Sequence, residues 1–197
     1  MNVLMCLGEN NISCPGTLAL KEYLIQKQMR GAVKTRCKRL INRGEVKVSN
    51  KSILETQIGT CVSICLYCPE INLGGITHIS RSRKVDNTPS GKYIMRNDYY
   101  YADNSIPRLM HLFRRQFPAI REKSLEVFVA GGMNNEGPVL ETLSELKKYK
   151  FKVVGFDVNK MLHRHVRFDT ALGIIKVDRN KPFLTKKSTR YFNLSRR

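Results

Sequence analysis

Three cysteines crowd into CVSICLYC, Cys61 to Cys68, at the spacing C-x3-C-x2-C, half of the six in the chain. Three thiolates so placed in a loop can bind three irons of a [4Fe–4S] cluster and leave one coordination site open. The intervening residues argue for a different backbone. Val62, Ile64 and Leu66 alternate with Cys61, Ser63 and Cys65 as a strand does. On a strand, residues at even separation share a face, so Cys61 and Cys65 point one way and Cys68 the other. A catalytic barrel built around such a cluster would also need more chain than the 129 residues that follow Cys68. A zinc site lacks a fourth ligand at the usual spacing, since His163 and His165 stand far downstream. The expectation here is therefore no metal and no cofactor.

Taken singly, the cysteines give a clearer chemistry. Cys61 follows Gly59-Thr60 at the mouth of the strand, where a turn of small residues can leave a thiol accessible. Seventeen residues later comes His78, in GGITHIS, on what should be the neighbouring strand. A histidine beside a cysteine drives the thiol toward the nucleophilic thiolate. Thr56, five residues before Cys61, is placed to hydrogen-bond the imidazole and set its tautomer. The alternative for a lone cysteine and a lone histidine is simple core packing.

These residues need elements to hold them. EVKVS at 45–49 alternates like a half-buried strand, Ile58 leads into CVSICLY, and ITHIS follows the turn-forming PEINLGG. NSIPRLMHLFRRQF carries Ile106, Leu109/Met110, Phe113 and Phe117 at helical spacing. LEVFVAGG reads as a buried strand ending in a glycine turn, and PVLETLSELKKY as a helix with Pro138 at its first position. KVVGFDV is a further strand and HVRFDTALGIIKV a hairpin, whereas the polar, Gly/Pro-marked stretch 81–98 reads as a loop. Upstream, residues 18–43 return Leu20, Leu24, Ile25, Met29, Val33, Cys37 and Leu40/Ile41 at helical spacing before Gly44. The expected fold class is α/β (α+β): a single layered sandwich domain of mixed β-sheet with packed helices, plus a basic N-terminal helix. The expected organisation is a basic, helical extension over 1–44, a layered α/β or α+β domain over 45–178, and a basic tail over 179–197.

The net charge is +19, and it is unevenly spread. Seven basic residues and no acid lie between Lys27 and Arg43, and seven more, again without an acid, from Arg179 onward. Such flanks attract polyanions such as nucleic acid, anionic lipid or an acidic protein surface, or they are simply solvated. Aromatic residues are 8% of the chain, there is no tryptophan and no zinc-finger or RNP-like motif, so nucleic acid has only the electrostatic footprint in its favour. No apolar run nears the roughly 20 residues that span a bilayer. MNVLMCLG lacks the basic n-region and the apolar length of a signal peptide. The expected compartment is the cytoplasm, with no membrane insertion.

ETQIGTCVSICLYCPEINLGGITHISRS resembles the signature of the chemoreceptor glutamine deamidase family, CheD. In that family a threonine, a glycine-rich turn ending in cysteine, an apolar strand and a GG-x-x-H segment follow in this order. The similarity extends through Tyr101-Ala102-Asp103, LEVFVAGGM, FKVVGFDV and HVRFDTALGIIKV, roughly residues 45–178. It implies a cytoplasmic cysteine hydrolase that converts receptor glutamines to glutamate through a thioester. Carried over by motif, Cys61 matches the nucleophile, His78 the general base and acid, and Thr56 the residue orienting the histidine. The backbone of Cys61 and the Gly59-Thr60 turn are then the nearest oxyanion donors. Implied partners are chemoreceptor signalling helices and a CheC-type phosphatase, with a non-catalytic binding role as the alternative. Two departures stand out. Cys68 occupies the place of a family aspartate, and MNNEGPVLETL is shorter than the family's loop and lacks its Gly-x-Arg-Asn.

Overall fold

The structure is a computed structural model that describes residues 36–82, 99–132, 137–158, 162–181 and 184–194. Ten strands and two helices are seen among these residues. They are β1 (Lys38–Leu40), β2 (Val46–Ser49), β3 (Ile53–Ile58), β4 (Val62–Cys68), β5 (Leu73–Ile79), α1 (Ala102–Gln116), β6 (Glu126–Gly131), α2 (Pro138–Leu146), β7 (Lys152–Val158), β8 (His163–Asp169), β9 (Ile174–Lys181) and β10 (Leu184–Asn193). The class is α+β. The strands form two five-stranded mixed sheets, ordered β1-β3-β8-β9-β10 and β2-β5-β4-β6-β7.

Strand β4 explains why the cysteine motif reads as a nearly continuous apolar run. Every residue of it is buried, because both faces of its sheet are covered. Val62, Ile64, Leu66 and Cys68 pack into one core with Ile106, Leu109, Met110 and Phe113 of α1 and Val139 of α2. Cys61, Cys65 and Tyr67 face a second core, shared with Leu54, Val166, Phe168, Ile175 and Val177 of the other sheet. The period-2 alternation thus separates Cys61 and Cys65 from Cys68, as expected. Gly74 and Gly75 allow both faces to close. A Cβ on Gly74 would sit 2.7 Å from the Phe168 ring, and one on Gly75 would sit 2.6 Å from Leu109 Cδ1.

Helix α1 forms over the expected stretch, with Tyr101 as its N-cap residue and the Asn104 side chain accepting from the Tyr101 backbone N–H at 3.2 Å. Its apolar residues recur at i, i+3, i+4 and i+7, the spacing of one buried face. Helix α2 starts at Pro138, where a missing N–H costs nothing. Among the described residues no helix is long and apolar enough to cross a membrane.

Two expectations need correction. The helix read over 18–43 ends differently. Residues 18–35 lie outside the described residues, but Lys38–Leu40 is a strand paired in parallel with Ile53–Glu55. The open edge of β3 takes up this segment's backbone, with Ile53 N–H donating to the Cys37 carbonyl at 3.0 Å and Ile41 N–H to the Glu55 carbonyl at 2.8 Å. Cross-strand bonds here outweigh a weak local helical preference, and the supposed stripe residues Cys37 and Leu40 are exposed. In the stretch expected as a tail, residues 179–181 complete β9 and residues 184–193 form β10, which pairs antiparallel along β9. The strands divide between two sheets, a division that strand alternation does not indicate because it carries no information about which strands pair. Most of the loop read over 81–98 lies outside the described residues.

Candidate functional site

Cys61, His78 and Thr56 sit where the two sheets meet. Strands β4 and β5 pair antiparallel with Ser63 opposite His78. Residues directly opposite share a face, and so do positions two apart, so Cys61 lies diagonal to His78 on the face toward the other sheet. Cross-strand diagonals of this kind are roughly 7–8 Å apart and within reach of long side chains. Both residues are buried, Cys61 6% exposed and His78 4%.

Thr56 approaches from the opposite sheet. It is fully buried, and its Oγ1 lies 2.8 Å from His78 Nδ1 and 2.9 Å from the Ile41 carbonyl. These two contacts determine a tautomer. The hydroxyl has one hydrogen, and a carbonyl can only accept, so the hydroxyl donates to Ile41 and must accept from His78. Nδ1 therefore carries the proton. The Ile41 carbonyl also lies 3.4 Å from Nδ1, which again requires N–H there. Nε2 is left with a bare lone pair, is buried, and has no hydrogen-bond partner among the described residues. An imidazole so held can accept a proton at Nε2.

The turn that carries Cys61 is held from behind. Gly132 N–H donates to the Cys61 carbonyl at 2.9 Å. Gly131 has φ of +116°, and a Cβ there would lie 2.1 Å from that same carbonyl oxygen, so only glycine permits the approach. Arg164 of β8 donates from Nη1 to the carbonyls of Leu162 at 3.1 Å and Gly132 at 3.4 Å. Its charge is balanced by Asp157 of β7, which lies 3.3 Å from Arg164 Nε and 2.7 Å from Arg179 Nε. This buried Arg–Asp–Arg cluster ties β7, β8 and β9 to the end of β6.

The electrostatics favour a neutral resting pair. Burial pushes the Cys61 thiol above its ordinary range, partly opposed by the positive charge of Arg43 and by the Thr60 hydroxyl. Burial also holds His78 below the usual histidine range, against a counteracting bond that it donates to the Ile41 carbonyl. Arg43 depresses His78 further, and Glu45 opposes it. The site thus rests as thiol and neutral imidazole, where sequence reasoning expected histidine to drive the thiol toward thiolate. Cys65 is fully buried and its thiol is driven upward, while Cys68 is raised by burial on the opposite face. Among the described residues no group of three His, Cys, Asp or Glu side chains could hold a metal.

Cys61 opens onto a depression of about 500 Å³, whose wall includes the Gly59-Thr60 turn, Arg43, Gln57, His163 and Asn180. The structure joins Thr56 directly to His78 and places Cys61 diagonal to His78, while Gly59, Thr60 and Cys61, but not His78 or Thr56, line the depression. Sequence reasoning missed Ile41, Arg43 and the Asp157, Arg164 and Arg179 cluster. A backbone carbonyl leaves no signature in the sequence, so Ile41 was not findable. Arg164 was: strand alternation through HRHVRF puts it on the same face as the core residues Val166 and Phe168. The flanking His163 is exposed, while His165 is half-buried with Nε2 3.3 Å from Glu55.

No family model matches the sequence. The chain is similar to the probable chemoreceptor glutamine deamidase CheD of Archaeoglobus fulgidus, 29% identical over 77 residues, which are 39% of this chain and 45% of that protein. It is also similar to the protein of the same description from Methanococcus vannielii, 30% identical over 95 residues, 47% of this chain and 55% of the relative. The chain spans about half the length of the curated relatives it matches.

Proposed function

This chain is related to the CheD family, and from that premise we propose that it is a cytoplasmic cysteine-dependent protein-glutamine deamidase acting on chemoreceptor signalling helices. The observation that carries this proposal is the Thr56–His78 contact, which leaves Nε2 unprotonated on the face that also bears Cys61.

The reaction follows from the neutral resting pair. As the substrate carboxamide arrives, the Cys61 thiol proton passes to His78 Nε2 and sulfur attacks the amide carbon. The oxyanion forms beside the backbone N–H groups of Cys61 and the Gly59-Thr60 turn. His78, now imidazolium, returns the proton to nitrogen as the C–N bond breaks, releasing ammonia and leaving a thioester. Neutral His78 then takes a proton from water, whose oxygen attacks the thioester carbonyl, and the C–S bond breaks with the thiol reprotonated. The glutamine has become a glutamate. Thr56 accepts the Nδ1–H bond throughout, and that bond strengthens when the ring is charged. No step calls on Cys65 or Cys68.

The test is intact-mass and peptide mass spectrometry on chemoreceptor cytoplasmic fragments incubated with wild type and Cys61→Ala. A gain of about one dalton at defined glutamines, absent with the variant, is the expected outcome. Equal gains with both proteins would remove Cys61 from the chemistry. No gain on any fragment would leave the receptor substrate unsupported.

A further inference from the structure

The depression that Cys61 opens onto has an uneven charge. Its lining includes two arginines and two histidines, Arg43, Arg164, His163 and His165, and no carboxylate. Two of these four are already engaged, since Arg164 is buried against Asp157 and His165 lies against Glu55. Arg43 is exposed and makes no ion pair among the described residues.

Arg43 is also tied rigidly to the reacting residues. Its turn is bonded to the peptide of His78 on both sides, with Gly44 N–H donating to the His78 carbonyl at 2.9 Å and His78 N–H to the Glu45 carbonyl at 3.1 Å. Glu45 closes the same turn by accepting from Asn42 N–H at 2.7 Å, and so is directed back into the turn. The bonded turn therefore holds at the rim of the depression a guanidinium that no carboxylate among the described residues neutralises. Guanidinium binds carboxylate through two parallel hydrogen bonds, a geometry that an amide or a cation cannot match.

Building on the deamidase function above, we propose that Arg43, with His163 in the same lining, binds the side-chain carboxylate of an acidic residue adjacent to the target glutamine, so that the site selects glutamines in acidic segments. The amide of such a glutamine would reach Cys61 while its neighbour's carboxylate meets Arg43. The +19 charge of the whole chain draws in any polyanion, but the contact with Arg43 would read the position of the acid relative to the glutamine.

The test is binding to the full-length Cys61→Ala chain of three fluorescent peptides with one glutamine, flanked by Glu, by Ala or by Lys, followed by anisotropy. The Glu-flanked peptide should bind about tenfold more tightly than the Ala-flanked one, as a charge-assisted contact requires. Arg43→Ala added to that chain should erase the difference, and Arg43→Glu should transfer the preference to the Lys-flanked peptide. Arg115→Ala serves as control, since it removes an exposed positive charge from α1 on a different part of the surface. Equal affinities for the peptides, no measurable binding of the acidic one, or equal losses in the Arg43 and Arg115 variants would each overturn the proposal. Ammonia release by the wild-type chain separates the two ideas. Acid-selective binding without ammonia would sink deamidation alone, and ammonia release without acid selectivity would sink this inference alone.

Discussion

Replacing Thr56 with valine keeps the shape of a fully buried side chain and deletes only its hydroxyl. The consequences can be worked through from two distances. His78 Nδ1–H loses an acceptor at 2.8 Å, and the Ile41 carbonyl loses a donor at 2.9 Å. Leaving a buried polar group unsatisfied costs roughly 1–3 kcal/mol. The Ile41 carbonyl is already 3.4 Å from Nδ1, so a small ring movement lets the two orphaned groups pair. That compensation places the stability loss at about 1–2 kcal/mol. The rate suffers more. In the transition state His78 carries positive charge, and a hydrogen bond to a charged group is worth about 1.5–3 kcal/mol. At 1.36 kcal/mol per decade, kcat should fall about 10- to 100-fold while KM changes little. Thr56→Ser keeps the hydroxyl, loses one methyl and should stay near the wild-type rate at a stability cost of about 1 kcal/mol. The assay is kcat and KM for ammonia release beside thermal unfolding of each variant. A folded Thr56→Val enzyme with wild-type kcat would refute the tautomer argument. So would equal impairment of the valine and serine variants, which would make shape rather than the hydroxyl the relevant property.

Other outcomes follow from the same geometry. Cys65→Ala should retain activity and lose about 1–2 kcal/mol of stability, because Cys65 is a fully buried packing residue; a dead but folded variant would return the second sulfur to the mechanism. Arg164→Met should cost roughly 3–5 kcal/mol in denaturant unfolding, since it unbalances a buried ion cluster and frees the Gly132 carbonyl that stands behind the Cys61 turn. The pH dependence has a definite sign. The folded pKa of His78 lies below its unfolded value, so the unfolded chain binds more protons between the two and stability rises with pH there. This contribution is fully present above the ordinary histidine value of about 6.5 and is lost as pH falls through the folded value. Unfolding titrations across pH 4–8 should therefore show a shallower acid slope for His78→Gln than for wild type, and identical slopes would remove His78 as the buried neutral group.

Much of the site can be read in the chain because it depends on local periodicity. Alternation through CVSICLYC already divides Cys61 and Cys65 from Cys68, and the short connection after Pro69 brings GGITHIS alongside as an antiparallel neighbour, with His78 diagonal to Cys61. Those relations span few residues, and the pleat of a strand enforces them. The helical spacing of Ile106, Leu109, Met110 and Phe113 likewise sufficed to place α1. The relations that need two sheets to meet were out of reach. Thr56 could be named as a partner for His78, but the direction of its hydroxyl is set by the Ile41 carbonyl, in a segment whose apolar spacing favoured a helix. Only the open edge of β3, which offered Lys38–Leu40 a parallel ladder, turned that segment into a strand and delivered the carbonyl and Arg43 to the site. The basic run from Arg179 similarly became part of a sheet when β9 supplied an edge. The sequence by itself determined the residue types, the faces they occupy and the order of the strands. The tertiary structure decided which edges meet, and through them the tautomer of His78 and the charge around Cys61, because hydrogen bonds and Coulomb terms depend on distances between segments that local spacing does not encode.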